Sequence, residues 1–272
     1  MWANPQIFKL DDNLKPLFVS GVPPDYFSSS GQRWGNPVYD WDSLQKQSFK
    51  WWIKRFKQAF EIYDAVRLDH FRGFVAYWEI PSSERTAING KWVKVPVYEF
   101  FDEILKKIKN FNVIVEDLGV ITEDVKEVIK HYNFTNMKVL QFSFYEDNPR
   151  HPYLPHNYDK NCVVYTGTHD NNTISGWFEE ELDENSRLRF ENYVGKKITS
   201  DNVVEELVRL AFSSVSLLSV ITLQDVFKLG SFARTNTPGT SQNNWKWKMK
   251  KSFLQESYFE WVAKLNYIYN RF

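Results

Sequence analysis

Short apolar runs alternate with longer amphipathic stretches along most of this chain, and few architectures accept that alternation. Apolar runs at 62–69, 112–116, 137–144, 162–168 and 219–225 predict five strands. Helical periodicity predicts helices over Asp42–Phe60, Val97–Lys109, from the cap Thr122 to Tyr132, Glu179–Tyr193, Asp201–Ser213 and Gln255–Tyr269. In the first of these Trp52, Phe56 and Phe60 recur every four residues with lysines opposite, and Asp42 or Ser43 is placed to cap its start. Strands separated by helices mean parallel β/α units, hence an α/β fold. Five strands suit either a flavodoxin-like open sheet or part of a (β/α)8 barrel. The first forty residues read differently. Gly21 to Pro37 is dense in turn formers and predicts a long loop without regular structure. Its Tyr26, Phe27, Gln32, Arg33 and Trp34 argue for a working loop rather than a disordered one.

Charge narrows the partners. The 272 residues carry 34 Lys+Arg and 34 Asp+Glu, a net charge of zero. That balance argues against nucleic acid, which needs clustered positive charge, and gives no support to an anionic membrane. The longest apolar stretch, Val215 to Leu223, is far short of the roughly 20 residues that span a bilayer. The single cysteine, Cys162, excludes an intrachain disulfide. No targeting segment is visible at the N-terminus, so a cytoplasmic, reducing location is expected. Aromatic residues make up 17% of the chain. They fit either a large aromatic core or a carbohydrate site, where flat rings meet the C–H faces of sugars.

In parallel β/α folds the chemistry lies just past the carboxyl ends of the strands. Three predicted strands end in acids: Arg67-Leu-Asp69-His70, Val115-Glu116-Asp117 and Thr168-His169-Asp170. One acid after a strand is usually a cap or a surface ion pair. Three at three strand ends, two beside histidine, point instead to one mouth where Asp69, Glu116 and Asp170 converge. Retaining glycosyl transfer needs such a set: a carboxylate to attack the anomeric carbon, and a carboxyl group to protonate the departing oxygen and then act as base. A third acid can hold sugar hydroxyls and distort the ring. Arg67, on the same side of its strand as Asp69, can keep that aspartate ionised. His70 and His169 can donate to sugar hydroxyls. A divalent cation held by these histidines and acids is the competing reading, although the five histidines include no His-x-x-x-His pair. No phosphate loop, Gly-x-Gly-x-x-Gly or Gly-x-Ser-x-Gly is present, which leaves nucleotide and serine-hydrolase chemistry without support.

Several segments together resemble a known family. They are Gly21-Val-Pro-Pro-Asp-Tyr-Phe-Ser, Gly31-Gln-Arg-Trp-Gly-Asn-Pro-Val-Tyr, Arg67-Leu-Asp-His-Phe-Arg-Gly, Val115-Glu-Asp-Leu-Gly, Tyr165-Thr-Gly-Thr-His-Asp-Asn-Asn-Thr, Leu223-Gln-Asp, Asn236-Thr-Pro-Gly-Thr and Asn244-Trp-Lys-Trp. The sequence is similar, from end to end, to the 4-α-glucanotransferases of the amylomaltase or disproportionating-enzyme type, glycoside hydrolase family 77. The resemblance implies a (β/α)8 barrel decorated with extra helices and loops. It also implies transfer of an α-1,4-glucan segment to the 4-hydroxyl of glucose or another glucan, with no metal and no nucleotide sugar. Its substrates and acceptors would be maltooligosaccharides, α-glucans and glucose. By position it implies Asp69 as nucleophile, Glu116 as acid/base and Asp170 as the ring-distorting carboxylate. Arg67, His70 and His169 would line the donor sugar, and Gln32, Trp34 and Asn244 would touch sugar hydroxyls or faces. Tyr26 and Phe27 would sit on a loop over the cleft. Family members are substantially longer, and Trp2-Ala-Asn-Pro aligns just after their third strand. The chain over 1–272 therefore reads as the C-terminal part of the catalytic barrel, strands four to eight. An N-terminal half is expected as a missing partner, and little activity is expected from this chain alone.

Overall fold

A computed structural model describes residues 3–24, 28–119 and 121–272. Two compact units divide it, one running to Thr135 and one from Asn136.

The stretch expected to lack regular structure holds two strands of the first unit, β1 (Phe18–Val22) and β2 (Gln32–Pro37). After the helices α1 (Trp41–Lys46) and α2 (Lys50–Phe60) and the short strand β3 (Val66–Leu68) come β4 (Ala76–Pro81) and β5 (Lys91–Lys94). β2, β1, β4 and β5 form an antiparallel sheet in that order. The glycines that looked like loop formers are there for close backbone approach. A Cβ on Gly21 would lie 2.1 Å from the carbonyl oxygen of Gln32 on the paired strand, so only glycine fits. Gly31 takes a φ of +66° to start β2.

The single helix expected over Asp42–Phe60 is broken in two. Ser48 and Phe49 both take left-handed φ, 50° and 52°. The break swings the Phe49 ring into the core, edge-on to Phe100 at 5.2 Å. The start is capped by Asp40, which accepts from Ser43 N at 3.0 Å, and not by Asp42 or Ser43. Ile62 and Tyr63, expected in a strand, are exposed in the turn that ends α2; both amides bond back to Ala59. α3 (Val97–Lys107), β6 (Val113–Val115) and α4 (Glu123–His131) complete the unit. Thr122 sits at the N-cap of α4, but its hydroxyl serves Asp124 and Arg72 instead of a helix amide. β3 and β6 pair in parallel, with Leu68 opposite Val115. Trp41, Trp52, Phe56, Phe71, Phe100 and Phe101 share one core, which absorbs much of the aromatic content.

β7 (Thr135–Val139), which enters the second unit at Asn136, runs parallel there with β8 (Cys162–Tyr165) and β9 (Leu218–Val220), with Val139 opposite Tyr165 and Tyr165 opposite Val220. The expected strand 137–144 ends at Val139, where Leu140–Phe142 tightens into a 3₁₀ turn. β8 starts where the sequence places it but ends at Tyr165, short of the expected 168. After it come the single turn α5 (Ile174–Gly176), a π-turn over Trp177–Glu181, α6 (Glu184–Val194) and α7 (Val203–Ser213). The helix expected over 179–193 therefore starts anew at the cap Asp183, which accepts from Ser186 N. The expected strand 219–225 is β9 followed by the turn α8 (Leu223–Val226), because Thr222 caps that turn by accepting from Asp225 N. α9 (Ser257–Ile268) ends the chain, and Cys162 is buried. No helix among the described residues is long and apolar enough to cross a membrane.

Candidate active site

In the first unit, β3 and β6 carry their pairing one step past their ends. Glu116 N donates to Leu68 O at 2.9 Å, and Phe71 N donates to Glu116 O at 3.0 Å. Asp69 and His70 therefore form a tight bend around the Glu116 peptide. Asp69 projects into solvent, its side chain 77% exposed, and Arg67 Nη2 meets its Oδ1 at 2.8 Å. The pairing of Arg67 with Asp69 expected from strand alternation is thus present.

The Glu116 carboxylate is held differently. Its Oε2 accepts from His70 N at 2.6 Å and its Oε1 from Leu118 N at 3.2 Å. To offer that amide, His70 adopts a φ of +47°, a strained value for a non-glycine residue. Burial raises the Glu116 pKa above the ordinary glutamate range, and the Asp69 charge adds to the rise; the two amides and Arg67 oppose it without cancelling it. One ion-paired carboxylate in solvent and one buried carboxyl that keeps its proton more readily are the two environments that nucleophile and general acid require.

His70 is held neutral more readily than a free imidazole, chiefly by burial and against the pull of Asp69. The Trp34 ring stands edge-on to it, 4.9 Å between centroids at 88°. Trp34 Nε1 donates to Gln32 Oε1 at 3.3 Å, the two side chains lying on one face of β2. A cavity of about 540 Å³ opens here, lined by Trp34, Asn36, Tyr39, Asp69, His70 and Tyr77 among others. Gln32, Trp34, Arg67, Asp69, His70 and Glu116 are thus linked within this unit. Tyr26 and Phe27 lie outside the described residues.

In the second unit, β8 leads into Thr166–Asp170. This loop is wound on itself: Thr168 N and Oγ1 both donate to Asn171 Oδ1 at 2.9 Å, and Asp170 N donates to Thr168 Oγ1 at 3.2 Å. His169 Nε2 lies 3.5 Å from Asp170 Oδ2. The decisive grip comes from sixty-odd residues away. Asn236 Nδ2 donates to Asp170 Oδ1 at 2.6 Å, and Arg234 Nη2 to Asp170 O at 2.8 Å. Asn236 N closes on His169 O at 3.1 Å. Arg234 is fixed in turn by Glu181 at 2.9 Å and by Asn236 O at 2.9 Å.

Beneath this loop lies a buried acid. Asp225 Oδ1 accepts from Ile174 N at 2.8 Å, and its Oδ2 accepts from the hydroxyls of Thr222 at 2.8 Å and Thr166 at 3.3 Å. Burial pushes its pKa up to about 6, against the pull of those three donors. Its neighbour Gln224 donates to Ala233 O at 3.3 Å and Thr235 Oγ1 at 2.9 Å, steadying the segment that holds Asp170. Arg234, Asn236, Gln224 and Asp225 received no role from the sequence. Their only signal was membership of the Leu223-Gln-Asp and Asn236-Thr-Pro-Gly-Thr segments or nearness to them. Asn244 spends both amide hydrogens on its own loop, donating to Thr240 O and Thr240 Oγ1 at 3.0 Å, and its Oδ1 accepts from Thr237 N at 2.9 Å. Among the described residues, no group of three or more His, Cys, Asp or Glu side chains is placed to hold a metal ion.

The comparisons with known proteins agree with one another. The family profile of glycoside hydrolase 77, described as 4-alpha-glucanotransferase, matches residues 1–254. A 4-alpha-glucanotransferase of Aquifex aeolicus is 46% identical over 271 residues, covering all of this chain and 55% of the relative. One from Streptococcus pneumoniae is 45% identical, with 53% of its length covered. A solved amylomaltase of Streptococcus agalactiae, in complex with acarbose, superposes with a TM-score of 0.94 at 38% identity, over 99% of this chain and 54% of that one. The amylomaltase of Corynebacterium glutamicum shares the fold, with a TM-score of 0.79 at 17% identity. The chain spans about half the length of the curated relatives it matches. With a matched profile over nearly its whole length, this chain belongs to glycoside hydrolase family 77, the 4-alpha-glucanotransferase family.

Proposed function

We propose that this chain carries the catalytic groups for retaining transfer of an α-1,4-glucan segment to the 4-hydroxyl of glucose or another α-glucan. The observation that carries the reading is the Glu116 carboxyl, raised in pKa by burial and hydrogen-bonded to the amide that directly follows the ion-paired Asp69. The Asp69 carboxylate attacks the anomeric carbon. The bond from that carbon to the departing 4-oxygen breaks, and Glu116 gives its proton to that oxygen. Glu116, now ionised, takes the proton of the incoming 4-hydroxyl, whose oxygen displaces Asp69 and restores the original configuration. Asp170 holds hydroxyls of the reacting sugar and helps distort its ring. Arg67 pairs with Asp69 and holds its carboxylate in place, and His70 and His169 donate to the donor sugar. Gln32 and Trp34 meet it from β2, and Asn244 contributes through the loop that it braces. Tyr26 and Phe27 act as an apolar flap that favours a bound acceptor over water. The β/α units are strands four to eight of a (β/α)8 barrel of glycosidase type, the remaining strands being supplied by an N-terminal segment. The work is cytoplasmic, in keeping with the lone buried thiol.

The test is incubation with maltotriose, with Asp69→Asn as control. The chain alone is expected to turn over little; with the N-terminal half of a relative added, glucose together with maltopentaose and longer chains, absent in the control, is the expected result. Glucose and maltose without longer products would make the chain a hydrolase. No turnover, even after addition of the N-terminal half of a relative, would leave the chain a non-catalytic remnant.

A further inference from the structure

The loop that holds Asn244 presents its neighbour, Trp245, in an unusual way. Trp245 is 66% exposed, yet it is not a loose surface residue. Its ring lies against that of His169, 5.2 Å between centroids and tilted by 35°. Its backbone takes a left-handed φ of 59°, which a bulky residue adopts only when its surroundings hold it there. The hold is visible: Trp245 N donates to Thr235 O at 2.7 Å. Thr235 sits between Arg234 and Asn236, the two residues that grip Asp170, and its hydroxyl is fixed by Gln224. The hydrogen bonds of the Asn244 side chain to Thr237 and Thr240 brace the chain just before it. An indole is thus tied to the same three-residue segment as the third acid, with one side on His169 and most of its surface in water.

Leaving so large an apolar ring in solvent while straining the backbone to keep it there brings no gain to the fold. It suits a ligand with an apolar face and a polar rim, which describes a pyranose: axial C–H bonds pack on the indole while equatorial hydroxyls stay wet or find polar partners. We infer that Trp245 is a stacking platform for one glucose unit of an α-glucan held beside His169 and Asp170, and that Asn244 acts by setting the pose of this ring. The inference rests on the α-glucan reading and adds a specificity residue to it.

Calorimetric titration of the 272-residue chain with maltoheptaose tests it, using the unsubstituted chain, Trp245→Ala and Trp245→Phe. The expected result is about tenfold weaker binding for Trp245→Ala, the scale of one lost aromatic face contact, with most of the affinity restored by Trp245→Phe. Asn244→Ala should weaken binding while leaving the Tm within a degree or two, as an exposed loop contact does. The tryptophan fluorescence change on adding maltoheptaose should shrink in Trp245→Ala, a signature that a merely structural role would not produce. Tight maltoheptaose binding that Trp245→Ala leaves unchanged would overturn the inference alone. Absence of binding by the unsubstituted chain would overturn the α-glucan reading and the inference together.

Discussion

The two units hold their acids over different distances along the chain. In the first, everything that fixes Asp69 and Glu116 is close in the chain or directly across one strand pair: Arg67 two residues away, and the amides of His70 and Leu118 at the ends of β3 and β6. In the second, Asp170 depends on side chains 64 and 66 residues distant, Arg234 being held in turn by Glu181, while the Thr235 between them is held by Gln224. Backbone amides come with the fold and cannot be mutated away. Side-chain clamps can be, so Asp170 should be more sensitive than Glu116 to substitution of the residues that hold it.

The largest effect expected is at the chemistry. With the N-terminal half of a relative added, Glu116→Gln and Asp69→Asn should each lower maltotriose turnover by about 10⁴-fold, the usual scale for removing an acid/base or nucleophile. The expected folds stay intact, because a glutamine oxygen can still accept from His70 N. In the unsubstituted chain, turnover should fall as pH rises through the raised pKa of Glu116, since the departing oxygen needs the protonated form. A basic limb at the ordinary carboxylate range would break the comparison.

Next in size is the buried acid under the second loop. Asp225→Ala strands the Ile174 amide and two hydroxyls and should cost about 3 kcal/mol in urea unfolding. Its pH dependence has a definite sign. The folded-state pKa of about 6 lies above the ordinary 3.8, so the folded state binds the proton more tightly. That stability is fully present below about pH 4 and is lost as pH rises through 6, by about 2–3 kcal/mol. Asp225→Asn should flatten the stability profile between those limits. An unchanged slope would place the titration elsewhere.

Asn236→Ala should lower kcat by about 10- to 100-fold with little change in KM, the worth of a hydrogen bond to a charged group. The matching change in the first unit is Gln32→Ala, which touches Trp34 and neither acid, and should cost less than Asn236→Ala. Equal losses would erase the distinction between the two units. The smallest effect expected is Asp40→Ala, about 1 kcal/mol of stability from a lost helix cap, with activity unchanged.

This contrast also explains what the sequence could reveal. The β/α alternation and the acids at strand ends were legible because strands, the bend after them and an ion pair two residues apart are local matters. The antiparallel sheet was not. Its β1 and β2 use Gly21 and Gly31 for close approach and for a positive φ, and glycine in sequence reads as a loop in either case. The break at Ser48 and Phe49 was hidden for a similar reason: neither residue signals a left-handed φ, and the driving force is a Phe49 ring that must reach Phe100. The clamp on Asp170 was illegible because nothing at Arg234 or Asn236 announces which distant loop it will meet. Family resemblance marked some of those segments without saying what they do.

The central claim is the division of labour between Asp69 and Glu116. Incubating Glu116→Gln, with the N-terminal half of a relative added, with α-maltosyl fluoride tests it directly, because fluoride leaves without a proton and the missing acid/base slows release of the glycosyl group. The account predicts that intact-mass spectrometry shows one added maltosyl unit, and that peptide mapping places it on Asp69. No adduct, or an adduct on another carboxylate, would contradict it.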